Sequence, residues 1–216
     1  MLALFKEHKG FWTPARKHSM RFGFLLLVLS VIIQIVLGRF SSRVGVDAPG
    51  VRDIFLDNLP LVNLSAVIVG GAIVLWIFAW VLLIVHPRYL IFSTKAIALY
   101  IVSRAFFFSL THVGPYPLNY SPSSHNDGYG LYHLVTFQNN FFYSGHTAFP
   151  FLLALIFWEN KFLRYLFLFL TVFFGASVLL AHVHYSIDVF AAPFIVYGMF
   201  VMTAKLFPRD YALFTS

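Results

Sequence analysis

The sequence contains no cysteine among its 216 residues, which excludes disulfides, a thiolate nucleophile and any cysteine-ligated metal. Charge is also scarce, because Asp, Glu, Lys and Arg make up 11% of the chain against about 25% in soluble domains. Hydrophobic residues make up 60%, and the mean hydropathy is +0.81. A soluble core of this size could not bury so much apolar surface, so the composition predicts a polytopic membrane protein.

Six apolar segments predict an all-α fold in which six transmembrane helices form a helical bundle. Their approximate bounds are 22–37, 59–85, 89–110, 146–158, 162–183 and 187–207. His86 followed by Pro87 predicts a tight turn between the second and third segments, since proline disfavours a helical residue before it. No internal repeat or low-complexity tract is apparent.

The distribution of basic residues predicts how the chain is oriented. Five basic residues precede the first apolar segment, which indicates a cytoplasmic anchor beside anionic lipid and argues against nucleic-acid binding. The segment 111–144 has no Lys or Arg and is expected to form a long loop on the outer face. Three arginines between the first two segments do not fit this orientation: Arg39, Arg43 and Arg52.

Two basic residues lie inside the third apolar segment. Arg104 lies near its outer end, and an ionisable residue at membrane depth is costly enough to be a functional candidate. A guanidinium group also presents a planar set of donors that matches phosphate oxygens. Lys95 lies nearer the cytoplasmic end and is interpreted as an anchor whose ammonium group reaches the lipid headgroups.

Two histidine motifs dominate the C-terminal half of the chain. The first is Ser-Gly-His-Thr at 144–147, and the second is Ala-His-Val-His-Tyr-Ser-Ile-Asp at 181–188. His146 and His184 are 38 positions apart, close to the ~40 residues of a helical hairpin that crosses a bilayer twice. Both histidines should therefore emerge at the same face. Asp188 follows His184 by four residues, a spacing at which a carboxylate can orient an imidazole.

Two kinds of chemistry fit these side chains. His146, His184 and Asp188 could ligate zinc or iron. Alternatively, His184 could attack phosphorus while Asp188 orients it and His146 acts as a general acid. Ser144 and Gly145 favour the second interpretation, because glycine at a helix N-terminus lets backbone N–H groups approach an anion closely.

The two motifs together resemble those of the type 2 phosphatidic acid phosphatase superfamily, and most closely its sphingomyelin synthase branch. Weaker similarities to that branch lie at 51–60 and 103–117, in the same order along the chain. The chain departs from the phosphatase branches, which carry a Lys and an Arg-Pro pair in their first motif. Those branches also carry a Ser-Arg pair before the second motif. This chain has the serine, Ser177, but Val178 stands in place of the arginine.

The resemblance implies a role for each matching residue. His184 would form a phosphohistidine, Asp188 would orient it, and His146 would protonate the leaving oxygen and later activate the acceptor. Arg104, with backbone donors at Ser144 and Gly145, would bind the phosphate and stabilise its charge in the transition state. The expected site uses neither a metal nor another cofactor.

These observations predict an integral membrane lipid phosphotransferase that moves a phospho-headgroup from a glycerophospholipid to ceramide or diacylglycerol. Hydrolysis of a lipid phosphate or phosphodiester at the same site is the main alternative, and a transporter and a metal-dependent membrane hydrolase are lesser ones. The expected partners are membrane lipids, with no nucleic acid. The expected location is a bacterial inner membrane, with the site on its periplasmic face. The predicted domains are a basic N-terminal tail at 1–21, a six-helix membrane catalytic domain at 22–207 and a short cytoplasmic tail at 208–216.

Overall fold

The computed structural model describes residues 8, 10–45, 47–117 and 141–215. These residues form seven α-helices and no strand, which confirms the all-helical prediction. The first three helices are α1 (Pro14–Val44), α2 (Gly71–Val85) and α3 (Pro87–Leu110). A short π-helical turn, Ala66–Gly70, precedes α2. The others are α4 (Gly145–Ile156), α5 (Lys161–Leu180), α6 (Ser186–Leu206) and α7 (Pro208–Thr215). Most of the predicted outer loop, residues 118–140, lies outside the described residues.

Local sequence signals explain several helix ends. Thr13 caps α1, because its hydroxyl accepts a hydrogen bond from the N–H of Arg16 at 3.3 Å. Asn160 caps α5 in the same way, through the N–H of Leu163 at 3.1 Å. The turn predicted at His86 is confirmed, since α2 ends at Val85 and α3 begins at Pro87, where proline fits the first helical position.

Within the residues that the structure describes, five helical segments are long and apolar enough to cross a membrane: Pro14–Val44, Ala66–Val85, Pro87–Leu110, Lys161–Leu180 and Ser186–Leu206. The sixth predicted span corresponds to α4, which has only 12 residues. A helix of that length rises about 18 Å, whereas the hydrocarbon core of a bilayer is about 30 Å thick. The prediction of six full spans is therefore not confirmed. In addition, α1 begins at Pro14, inside the segment predicted as a tail.

The third helix forms the centre of the bundle. In its most apolar window 72% of the residues are buried, whereas the corresponding share for α1 is 11%. The first helix packs mainly along α3, and α4 packs against α5 and α6. Because α1 contacts the bundle on one side only, most of its surface is left for lipid.

The short α4 runs antiparallel to α3. At its start, a Cβ added to Gly145 would lie 3.1 Å from Nε of Arg104. After its end, the ring of Phe157 packs against Tyr89 at a centroid distance of 4.9 Å. Arg104 lies six residues before the last residue of α3, which corresponds to about 9 Å along the helix. The fourth helix is short because it begins below the end of the bundle, at the depth of Arg104.

The interpretation of Lys95 as an anchor in the headgroups is wrong. Lys95 is 3% exposed, and its ammonium group forms an ion pair with Asp210 of α7. It also donates to the hydroxyl of Ser19 on α1 at 2.7 Å, and that hydroxyl donates to Asp210 at 2.8 Å. This cluster joins α1, α3 and α7 at the end of the bundle opposite Arg104.

Candidate active site

His184 and Asp188 lie together at the start of α6. The Nδ1 of His184 is 3.3 Å from Oδ2 of Asp188, and the two residues are 6% and 2% exposed. The same carboxylate oxygen accepts a hydrogen bond from the N–H of Tyr185 at 2.9 Å, which caps the helix. The carboxylate is therefore held in place by the backbone while it faces the imidazole.

His146 lies at the start of α4, and its ring centroid is 6.0 Å from that of His184. A direct backbone contact joins the two motifs, because the N–H of Ser144 donates to the carbonyl oxygen of Asp188 at 3.0 Å. The Nδ1 of His146 is buried and has no hydrogen-bond partner among the described residues. The spacing argument thus places the two histidines correctly, at one end of the bundle and in ring contact.

Arg104 lies beside this pair, on α3. Its Nε donates to the backbone carbonyl of Tyr143 at 3.1 Å, so the loop residues just before α4 orient the guanidinium group. Gly145 makes this approach possible, because a Cβ there would lie 3.1 Å from Nε of Arg104 and 3.3 Å from the hydroxyl of Tyr100. Five of the predicted site residues therefore lie at one end of the bundle: Arg104, Gly145, His146, His184 and Asp188.

Ser144 is arranged differently from the prediction for a phosphate-binding donor. Its backbone N–H is already used by the carbonyl of Asp188, and the residue is fully buried. Its hydroxyl accepts a weak hydrogen bond from Thr147 at 3.4 Å. The observed role of Ser144 is to join α4 to α6, and in this arrangement its N–H is not available to a phosphate.

An apolar cavity of about 460 Å³ borders the site. Its walls come from α1 through α5, and most of the lining side chains are aliphatic or aromatic, including Trp76 and Trp80. Its polar lining side chains are Gln34, Tyr100, Arg104 and His146. The helices α1 and α2 line the cavity together but do not pack against one another to any extent. A long apolar molecule could therefore lie between them with a charged group at Arg104.

The metal-site alternative has no counterpart in the described part of the chain. Within those residues, no group of three or more His, Asp or Glu side chains is arranged to hold a metal ion. His146, His184 and Asp188, the three proposed ligands, are instead connected as an imidazole pair and a hydrogen-bonded carboxylate.

The segment between α1 and α2 contributes a contact to the start of α6 that the sequence reasoning did not assign. Asp53 accepts a hydrogen bond from the backbone N–H of Ser186 at 2.7 Å. Burial acts to raise the pKa of Asp53, but the N–H and hydroxyl groups of Ser186 and the N–H groups of Leu56 and Phe55 outweigh it and hold that pKa below its ordinary value. The available signal was the weak family resemblance at 51–60, which contains this aspartate.

Comparison with family models gives one match, to the model described as PAP2 superfamily C-terminal, over residues 139–205. No curated protein and no solved structure matches the chain significantly. The matched residues contain both histidine motifs, Asp188 and the hairpin that joins them. This part of the chain is therefore similar to the PAP2 superfamily, and the match indicates a phosphatase or phosphotransferase enzyme that acts on phosphate esters.

Proposed function

We propose that the protein is a membrane phosphotransferase that moves a phospho-headgroup from a glycerophospholipid to ceramide or diacylglycerol through a phosphohistidine at His184. The observation that carries this proposal is an apolar cavity lined by Arg104 and His146, with His184 in ring contact with His146 and hydrogen-bonded to Asp188. Such a cavity suits a molecule with a phosphate at one end and hydrocarbon at the other.

In the first step, Nε2 of His184 attacks the phosphorus. Because Nδ1 faces Asp188, it carries the proton, and the lone pair of Nε2 is left for the attack. The P–O bond to the diacylglycerol oxygen breaks, and protonated His146 donates its proton to that oxygen. Diacylglycerol leaves, the headgroup phosphate stays on His184, and Asp188 stabilises the positively charged ring.

In the second step, the hydroxyl oxygen of the acceptor lipid attacks the same phosphorus. His146, now neutral, takes the hydroxyl proton, and the P–N bond to His184 breaks. The electron pair returns to Nε2, so both histidines regain their starting states. Arg104 stabilises the charge on the phosphoryl oxygens in both steps, since a guanidinium group pairs well with them.

Hydrolysis is the second candidate, and a specific observation favours it. A cavity of about 370 Å³ reaches Asp188 from the side of the loops and is lined by polar groups of Arg52, Asp53 and Ser186. Water that enters there could replace the lipid alcohol as the acceptor. Donor cleavage would be unchanged, and the second step would release a water-soluble phospho-headgroup.

We also propose that α4 serves as a sixth crossing, that the site faces the periplasm and that the membrane is a bacterial inner membrane. Support for the crossing comes from the contacts of α4 with Arg104 at one end and of Phe157 with Tyr89 at the other. Support for the orientation comes from the lack of Lys and Arg at 111–144, which is typical of an external loop.

The test uses purified protein in detergent with a mixed phospholipid extract, with and without ceramide and diacylglycerol, and mass spectrometry of the products. A new phospho-headgroup lipid that requires both the wild-type protein and an added acceptor is the expected result. His184→Ala should abolish it, and acid-labile phosphate should be trapped on the wild-type protein but not on this variant. Release of free phosphate or a soluble phospho-headgroup would establish the hydrolase instead. Full activity of His184→Ala would contradict the phosphohistidine mechanism.

A further inference from the structure

Asp53 connects the segment between α1 and α2 to the first residue of α6. Its Oδ2 accepts the N–H of Ser186 at 2.7 Å, across 133 positions of the chain. Its Oδ1 accepts the N–H groups of Phe55 at 2.9 Å and Leu56 at 3.2 Å, which form the turn of its own segment. One carboxylate oxygen therefore folds the segment, and the other is committed to the helix that carries Asp188.

The first N–H groups of a helix have no partner inside the helix and attract negative charge. At α6 two carboxylates satisfy neighbouring groups, since Asp188 takes the N–H of Tyr185 at 2.9 Å and Asp53 takes that of Ser186. The oxygen of Asp188 that accepts this bond is the one that faces Nδ1 of His184 at 3.3 Å. A shift of the backbone at 185–186 would therefore move Asp188 relative to His184.

A second contact joins the same segment to the start of α6. The hydroxyl of Tyr185 accepts the N–H of Val51 at 3.1 Å and donates to the carbonyl of Gly114 at 2.8 Å. The backbone at Gly50 and that at Pro115 approach so closely that a Cβ on Gly50 would lie 2.3 Å from the carbonyl oxygen of Pro115. The carboxylate of Asp53 thus belongs to a closely packed support for the residues before Asp188.

Asp57 provides a natural comparison within the same segment. It accepts a hydrogen bond from the hydroxyl of Tyr116 at 2.7 Å and forms an ion pair with Arg52 at 3.0 Å. These bonds keep the segment folded and run to residues outside α6. If the two aspartates only fold their segment, loss of either should have the same effect on the reaction.

We propose that Asp53 is a positioning residue for the phosphotransfer site, which holds the start of α6 through the N–H of Ser186 and so fixes Asp188 against His184. This inference rests on the proposed function of His184 and Asp188. It predicts that the hydrogen bond to Ser186, rather than the presence of a carboxylate in the segment, determines the turnover rate.

The hydrogen bond between Asp53 and the N–H of Ser186 can be removed from either end. Asp53→Ala removes the acceptor, and Asp53→Asn keeps an acceptor oxygen without the charge. Ser186→Pro removes the donor and leaves Asp53 in place, and proline is well tolerated at the first position of a helix. The preceding residue, Tyr185, already has an extended backbone (φ −71°, ψ 156°), which proline favours. Ser186→Ala, which keeps the N–H and removes only the hydroxyl that also acts on Asp53, and Asp57→Asn are the matched controls.

Asp53→Ala and Ser186→Pro are expected to lower kcat about 10- to 100-fold, the cost of a small misplacement of reacting groups, with KM changed less than about twofold. The double variant should be no slower than the slower single variant, because both changes remove one bond. Asp53→Asn should recover part of the rate, and both controls should keep it. In protein labelled with ¹⁵N-histidine, the Nδ1 signal of His184, assigned by its loss in His184→Ala, should shift in both slow variants.

Wild-type kcat and an unchanged Nδ1 signal in Ser186→Pro would overturn the proposal, even if Asp53→Ala fails to fold. So would a loss in Asp57→Asn equal to that in Asp53→Ala, or additive losses in the double variant. Wild-type protein that cleaves no phosphate ester would refute the proposed function instead. The Nδ1 signal would then still show whether Asp53 positions His184.

Discussion

At the scale of single residues, the site depends on how closely α4 approaches Arg104. Gly145 carries no side chain at the point where a Cβ would lie 3.1 Å from Nε of Arg104 and 3.3 Å from the hydroxyl of Tyr100. Such distances are shorter than ordinary van der Waals contact, so any larger residue must displace the guanidinium group. The glycine of the first motif therefore has a steric role in addition to its place at a helix N-terminus.

Gly145→Ala is expected to lower kcat about 10- to 100-fold, because it moves the guanidinium group of Arg104, which we propose stabilises charge on the phosphate. Gly198→Ala is the matched control, since a Cβ at that helical position meets nothing within 4 Å. The control should keep the activity and gain up to about 1 kcal/mol of stability from the better helix propensity of alanine. Steady-state kinetics and thermal melting of both variants test this, and equal activities would refute it.

Asp53 is also expected to make stability depend on pH. Its pKa in the folded protein lies below the ordinary value of 3.8, so its ionised form stabilises the fold. This stabilisation is complete above pH 3.8, the ordinary pKa, and is lost as the pH falls through the lower pKa of the folded protein. The melting temperature of the wild type should exceed that of Asp53→Asn near neutral pH. The difference should shrink below about pH 4, and a difference independent of pH would contradict the assignment.

The sequence predicted the grouping of His146, His184 and Asp188 because helical spacing determines which residues meet at one face. It did not predict that the N–H of Ser144 is used by Asp188, or that Asp53 reaches Ser186. Both are contacts between segments far apart in the chain, and no local pattern encodes the partner of a backbone group.

At the scale of helices, the cavity between α1 and α2 leads to a prediction about the lipid chain. Ala72 lines the cavity, and Val74, on the same helix, is 66% exposed on the outside of the bundle. If the cavity holds hydrocarbon, Ala72→Trp should raise KM for long-chain lipid phosphates at least about tenfold, by occupying space that the ligand needs. Val74→Trp should not.

A short-chain, water-soluble phosphate ester separates this effect from misfolding. Both variants should cleave it at the wild-type rate, because it does not need the cavity. Equal KM values for long-chain substrates in Ala72→Trp and Val74→Trp would show that the hydrocarbon lies elsewhere.

The cluster of Lys95, Asp210 and Ser19 determines how α7 docks. Asp210→Ala leaves a buried ammonium group without its counterion and should cost about 3–5 kcal/mol of stability. The double variant Lys95→Met with Asp210→Leu should recover most of that loss, because an apolar pair carries no desolvation penalty. Thermal melting in detergent tests this, and a double variant no more stable than Asp210→Ala would refute it. The interpretation of Lys95 failed because its partner lies 115 positions away.

At the scale of the whole molecule, the sequence predicted the order of the six apolar helices but not all of their bounds. Helix α1 runs over Pro14–Val44 rather than 22–37, and α7 lies in a segment predicted as a tail. The fourth helix is shorter than a membrane span, because hydropathy reports how apolar a segment is, whereas the depth at which α4 begins is determined by its contact with Arg104. The segment 146–158 is apolar because it is buried among other helices, with eight of its residues in the buried core cluster.

The absence of cysteine gives a direct test of the six-crossing topology. Asn63→Cys lies near the site, since the neighbouring N–H of Val62 donates to the carbonyl of Leu180, and Glu159→Cys lies in the turn after α4. A thiol reagent that cannot cross membranes should label the first in intact cells. It should label the second only after the cells are permeabilised. Labelling of both from outside would exclude α4 as a crossing.

The bond between Ser144 and Asp188 has a consequence for biosynthesis. His146 and Ser144 leave the ribosome well before His184 and Asp188, which lie on or beside the last long helix. Until that helix enters the membrane, the carbonyl that holds Ser144 and the carboxylate that orients His184 are both missing. Under the proposed mechanism, a nascent chain cannot form the phosphohistidine until α6 has been inserted, so partly synthesised copies would not react with the lipids around them.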